Sequence, residues 1–221
     1  AGWNSVKLYF MIGLPTETDD DVLAIVDLVR AVAKTGRETL GRKSARMRLN
    51  VSVSTLVTKA HTPLQWDGQL PAEEIRRRQD LIRDRVRDKQ VTLSFHHVGQ
   101  SVVEAALARG GRQTAEAILA AYHAAPVLDA WSERFDYGRW HRAFEQAGLD
   151  LEHEATRTLA TDERLPWDHI DAGASKAFLL AERAAVDAET LTPDCRWSSC
   201  SDCGVSALME GGCPVARGWG R

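Results

Sequence analysis

Residues 6–21 read VKLYFMIGLPTETDDD, and the change of character along this run decides the fold class. Val6 to Ile12 is apolar except for Lys7, the pattern of a strand buried in a parallel sheet, and Gly13-Leu14-Pro15 supplies its exit turn. Thr18-Asp19-Asp20-Asp21 follows as a helix start, with a hydroxyl cap and carboxylates suited to the positive end of the helix dipole. Val22, Ile25, Val26 and Val29 then recur at helical spacing, which predicts an amphipathic helix to about Gly36. Strand, tight turn and helix make one βα unit.

Further along the chain, RLNVSVSTLV (48–57) alternates, with Leu49, Val51 and Val53 on one face and Asn50, Ser52 and Ser54 on the other. Pro71 to about Lys89 is predicted helical, and its belt of Arg and Asp reads as a solvated outer face. Val91, Leu93 and Phe95 alternate with Thr92, Ser94 and His96 in a third strand. Strands alternating with helices predict a parallel sheet. Helices on both faces of an open sheet would demand two apolar strand faces, whereas a barrel leaves one face to its lumen. The small polar faces therefore predict an α/β fold containing a partial (β/α) barrel over residues 1–98. Three strands cannot close a barrel, and Ala1 stands almost directly before a strand. Both point to preceding chain and hence a fragment, unless an initiator Met or a tag was removed.

Beyond the third strand the pattern is helical, giving a mainly helical C-terminal region at 99–190 and a Cys-rich tail at 191–221. Helices are predicted at Val102 to Arg109, Thr114 to His123, Tyr137 to Ala147 and Ala174 to Val186, with Glu152 to Leu165 extended or irregular. Trp131, Phe135, Trp140 and Phe144 form an aromatic set expected to fill a small helical core. Hydrophobic content of 44% and charged content of 27% are those of a folded domain. The formal net charge of −3 gives no electrostatic footprint for nucleic acid. No run approaches the roughly 18 apolar residues of a membrane span, and AGWNSVKLYF lacks the basic flank and cleavage site of a signal peptide. A cytoplasmic protein without membrane contact is expected.

Four features carry candidate chemistry. Gly13-Leu14-Pro15-Thr16-Glu17-Thr18 reads either as a polar-ligand turn with free helix-start N–H groups or as an ordinary capped βα turn. Cys195, Cys200, Cys203 and Cys213 are all of the cysteines, clustered in the last 27 residues. They read as a zinc or iron–sulfur site, as free thiols, or as a redox pair. His96-His97 at the end of the third strand read as proton-handling groups or as plain core and surface imidazoles. Asp168, His169 and Asp171 read as a functional cluster or as a capping and docking turn.

The run KLYFMIGLPTETDDDV (7–22) resembles the strand-loop-helix segment of radical SAM proteins, in which an apolar strand ends in Gly-Leu-Pro-Gly-Glu-Thr. Here Thr16 stands in place of the second Gly. VSVSTLVTKAHTPLQW (51–66) resembles the next strand and loop of the same barrel. Asp129-Ala130-Trp131-Ser132-Glu133, Leu165-Pro166-Trp167-Asp168-His169-Ile170-Asp171 and Thr192-Pro193-Asp194-Cys195-Arg196 resemble the C-terminal region of a group of these proteins with an N-terminal cobalamin-binding domain. The tail departs from that group, having Ser206 where a further cysteine is usual.

The resemblance implies a partial barrel of the radical SAM type and a [4Fe–4S] cluster held by a C-x-x-x-C-x-x-C loop, with S-adenosylmethionine completing its coordination. That loop is absent from these 221 residues. It further implies cofactor binding by Tyr9, Met11, Gly13, Leu14, Pro15 and Glu17 on the first strand and loop, with Val53 and Ser54 near the adenine. Either Tyr9 and Met11 or Leu8 and Phe10 must face the lumen. Use of cobalamin, and the N-terminal half of the same protein as partner, follow from the same likeness. The rival expectation is a metal-stabilised binding module, for RNA or a protein partner, without catalysis.

Overall fold

The computed structural model describes residues 4–125, 128–129, 131, 133–210 and 212–213. Ala130, Ser132 and the chain beyond Cys213 lie outside the described residues. Three parallel strands, β1 (Ser5–Ile12), β2 (Arg48–Thr55) and β3 (Val91–Phe95), pair in the order β1-β2-β3. Helix α1 (Asp19–Leu40) and a 3-10 segment (Gly41–Arg46) connect the first two strands, and α2 (Ala72–Arg83) connects the second pair.

Both crossover helices cover the same face of the sheet. Val22, Ile25, Val26, Val29 and Ala33 of α1 and Ile82 of α2 share one core with Leu49, Val51 and Val53, against which Leu8, Phe10, Leu93 and Phe95 pack. At about 25 cal/mol per Å² of apolar area removed from water, this burial fixes which strand face turns inward. The opposite face carries the small polar residues, and no described element covers it.

Residues C-terminal to β3 are helical: α3 (Val98–Arg109), α4 (Thr114–Ala124), α5 (Tyr137–Gln146), α6 (Leu151–Thr156), α7 (Lys176–Asp187) and the short α8 (Val205–Leu208). The six-residue α6 replaces the start of a segment expected to be irregular. Its cap is Asp150, whose side chain accepts from His153 N at 2.8 Å. Trp140 and Phe144 sit in a core built from α3 to α6, and Phe135 packs against it. Trp131 does not join the other aromatics and is 60% exposed. A third core joins Trp66 to Leu159, Leu165, Trp167 and Leu179.

Two buried polar side chains fasten the loop after β2 to the helical region. The Gln69 amide donates to the carbonyls of Leu56 at 3.0 Å and Ser101 at 3.3 Å. Arg109, 2% exposed, donates to Thr58 Oγ1 at 2.9 Å and to the carbonyls of Gln65, Asp67 and Arg157. Burial lowers the pKa of this guanidinium from its ordinary value. Glycine is required at position 68, where a Cβ would lie 1.9 Å from the Thr156 carbonyl oxygen.

Candidate functional site

The uncovered sheet face is built in rows set by the strand register. Tyr9 lies beside Ser52, and Ser52 beside Ser94; Met11 lies beside Ser54; Lys7, Asn50 and Thr92 form the row below. Tyr9 is 75% and Met11 45% exposed, so this pair occupies the open face while Leu8 and Phe10 pack into the core. Period-two alternation makes the choice all-or-none, because a one-residue slip would exchange the two faces. The hydroxyls of Ser54 and Ser94 donate back to Phe10 O at 3.1 Å and Val51 O at 3.3 Å, which leaves their oxygens as acceptors toward the open side. The result is a shallow floor of small acceptor groups flanked by an aromatic ring and a thioether.

Val53 does not share this floor. Its side chain is 1% exposed on the helix-covered face, opposite Ser54, because neighbouring strand residues point to opposite sides. Only its backbone reaches the site end, where Val53 O accepts from His96 N at 3.0 Å.

At the C-terminal end of β1, Gly13 adopts φ 90° and its N–H donates to Glu17 Oε2 at 2.7 Å. The same Glu17 oxygen accepts from Arg78 Nη1, and Arg78 Nη2 donates to Glu17 O at 3.1 Å. Both side chains are about nine-tenths buried, so Glu17 locks the turn rather than presenting a free carboxylate. The helix start is likewise engaged internally: Thr18 N donates to Asp21 Oδ2 at 2.8 Å and Thr18 Oγ1 accepts from Asp21 N. The N–H groups of Gly13, Glu17, Thr18 and Asp21 are thus engaged within the turn, and the helix carries an ordinary capping box. Of its residues, Leu14 is exposed and Pro15 half-buried beside the open face.

Arg78 corrects one expectation outright. The charge belt of α2 does not lie wholly outside, since Arg78 and Gln79 are buried. Arg77 foremost, and then Arg78, hold the Glu74 carboxyl well below the usual range, at about 2.

The two histidines divide their roles. His97 caps α3, its Nδ1 accepting from Gln100 N at 3.3 Å, with its ring edge-on to Phe135. His96 continues the polar alternation past β3, exposed, with Nδ1 2.9 Å from the buried Ser101 hydroxyl and its carbonyl accepting from Gln79 Nε2. Ser101 and Gln79 have no sequence signal of their own, since each is one of several polar residues on its helix and nothing in the local pattern sets it apart.

Asp168 and Asp171 act as turn caps, accepting from Leu165 N and Gly173 N at 2.9 and 2.8 Å. In the tail, Cys200 and Cys203 flank a tight turn in which Asp202 N donates to Cys200 Sγ at 3.4 Å. Cys195 and Cys213 are half-buried. Among the described residues no group of three or more His, Cys, Asp or Glu side chains is arranged to hold a metal ion. Nor is any described helix long and apolar enough to cross a membrane.

No protein-family model matches the chain, and no solved structure matches it at a significant level. Over 151 residues it is 25% identical to the uncharacterized protein MJ0966 of Methanocaldococcus jannaschii, an alignment covering 63% of this chain and 31% of that protein. The chain thus spans under a third of the length of the relative it matches.

Proposed function

We propose that this chain is the C-terminal part of a radical SAM enzyme and that the open face of β1 to β3 is the surface against which S-adenosylmethionine lies. The observation that carries the reading is the two-faced sheet: consecutive parallel strands, both crossover helices on one face, and small polar residues with Tyr9 and Met11 on the other. An arc of a (β/α) barrel has this organisation, with its lumen face lined for a ligand.

The residues present suit the nucleoside part of the cofactor. Serine oxygens at 52, 54 and 94 offer acceptors to an amino group, and the Tyr9 ring and Met11 thioether offer apolar contact to a purine edge. His96, held by Ser101, is the side chain placed to move a proton at the C-terminal end of the face. The cluster does not suit this chain: all four cysteines are in the tail and none stands in a C-x-x-x-C-x-x-C run. When bound and reduced, S-adenosylmethionine supplies a carbon radical able to take a hydrogen atom from a substrate. The tail thiols belong in this reading to a separate zinc or cluster site, centred on Cys200 and Cys203.

The test is anaerobic reconstitution of the protein that includes the preceding chain, followed by dithionite reduction. Formation of 5′-deoxyadenosine from S-adenosylmethionine is expected. Its absence from a preparation with full iron–sulfur absorbance would contradict the proposal. Metal analysis of the same protein and its Cys200→Ser variant reads the tail: loss of one bound metal in the variant is the expected result.

A further inference from the structure

The net charge of −3 conceals a strong segregation. Segments 27–48 and 84–90 hold ten Arg and Lys against the four carboxylates Asp27, Glu38, Asp84 and Asp88, while the rest of the chain holds eighteen cations against twenty-seven carboxylates. The two segments are neighbours in space. Gln90 Nε2 donates to Ser44 O at 2.6 Å, Arg37 pairs with Asp88 at 2.6 Å, and Arg30 donates to Arg85 O at 3.0 Å.

All ten cations are exposed. Only Arg30, Arg37 and Arg87 have a carboxylate partner among the described residues. The remaining seven, four of them in GRKSARMR (41–48), have none there. Two clefts open on this surface, one of about 290 Å³ rimmed by Arg30, Arg37, Arg85 and Arg87, the other of about 580 Å³ rimmed by Arg42, Lys43 and Arg46. The patch surrounds the N-terminal ends of β2 and β3. An eight-residue strand at roughly 3.3 Å per residue puts it about 25 Å from the C-terminal end that carries Ser54 and His96.

We infer that this basic end is a docking surface for the phosphodiester backbone of a double-stranded nucleic acid. Seven of the ten cations are arginines, whose planar fork matches phosphate oxygens two at a time. Neither segment contains an aromatic residue, so there is no platform on which unpaired bases could stack, and the contact reads backbone rather than sequence. Leu28 is the one exposed large apolar side chain in the two segments, which leaves nothing for insertion into a lipid interface. Distance from the C-terminal end of the open face, where Met11, Ser54 and His96 lie, makes this an anchoring surface, independent of whether that face holds S-adenosylmethionine.

The experiment is fluorescence anisotropy of the 221-residue chain with labelled 20-base-pair RNA and DNA duplexes over a salt series. The comparison ligands are single-stranded RNA, polyglutamate and phosphatidylserine vesicles. Binding of either duplex with a steep salt dependence is expected, and a preference between RNA and DNA identifies the source. R42E/K43E/R46E alters a segment with no buried side chain, so it should keep its circular dichroism while its affinity falls at least about tenfold. The slope of log affinity against log salt should fall by about 3, at roughly 0.9 for each phosphate no longer neutralised. Arg85→Glu gives a second reading from the other segment, and Arg76→Glu, outside the patch, should change nothing. Unaltered duplex affinity in both patch variants, no duplex binding at 50 mM salt (on the order of that at which such pairing is strong), or tighter binding of single strands, polyglutamate or vesicles would overturn the inference.

Discussion

The indole N–H of Trp167 donates to the side-chain oxygen of Gln65 at 2.7 Å, across 102 residues of sequence. The same Gln65 oxygen accepts from His61 N at 3.0 Å, and Trp66 packs in one core with Leu165 and Trp167. The two phrases HTPLQW and LPWDHID, which look like unrelated signatures in the sequence, are therefore two halves of one joint. Arg183 reinforces it with a two-pronged pair to Asp67 at 2.8 Å. Gln65→Leu leaves the Trp167 N–H buried without a partner and should cost about 1–3 kcal/mol in urea unfolding. A cost within error of zero would show that the joint does not hold the helical region to the sheet.

Thr16 adopts φ 65°, a left-handed conformation that a β-branched residue rarely takes, at the position where the resembled pattern has Gly. Left-handed backbone costs such a residue roughly 1–2 kcal/mol, of which glycine's extra chain entropy in the unfolded state returns part. Thr16→Gly should therefore raise stability by up to about 1 kcal/mol, read as a higher denaturation midpoint at an unchanged slope. A destabilised variant would mean that Thr16 makes compensating contacts.

Breaking the Glu17–Arg78 pair strands a carboxylate in a site about nine-tenths buried. Arg78→Met should cost about 3–5 kcal/mol, the range for removing one partner of a buried pair. Adding Glu17→Gln to that variant removes the stranded charge and should recover a substantial part of the loss. Equal stability of the single and double variants would contradict the lock.

These positions show where the sequence is readable and where it is not. The alternation of Leu49, Val51 and Val53 with Asn50, Ser52 and Ser54 foretells β2 and its two faces, because a half-buried strand has only one way to satisfy that pattern. It also puts Ser54 on the open face, whereas the family likeness groups Val53 with Ser54 against the same alternation. A belt of arginines does not disclose that Arg78 alone turns inward, because that depends on Glu17, 61 residues away in the chain. The basic end is hidden by net charge, which sums over a surface that the fold divides.

Tyr137 provides a pH signature. Burial, and then its hydrogen bond to the Glu152 carboxylate, push the phenol above its ordinary value near 10. The folded chain thus keeps a proton that the unfolded chain releases, so this contribution is complete below about pH 10 and declines as the pH rises past it. Urea unfolding at about pH 8 and about pH 11, on either side of the free phenol's titration, should show a stability advantage of wild type over Tyr137→Phe that shrinks at the higher pH. An advantage that grows with pH would contradict the assignment.

The three methionines allow the central claim to be tested in one spectrum, because Met11 lies on the open sheet face, Met47 is buried and Met209 lies in the tail. Methyl-¹³C-methionine NMR with added S-adenosylmethionine should shift the Met11 resonance and leave Met47 and Met209 in place. Ser54→Trp, which fills the floor beside Met11, should abolish the shift. A silent Met11 at millimolar ligand, or a response confined to Met209, would contradict the account.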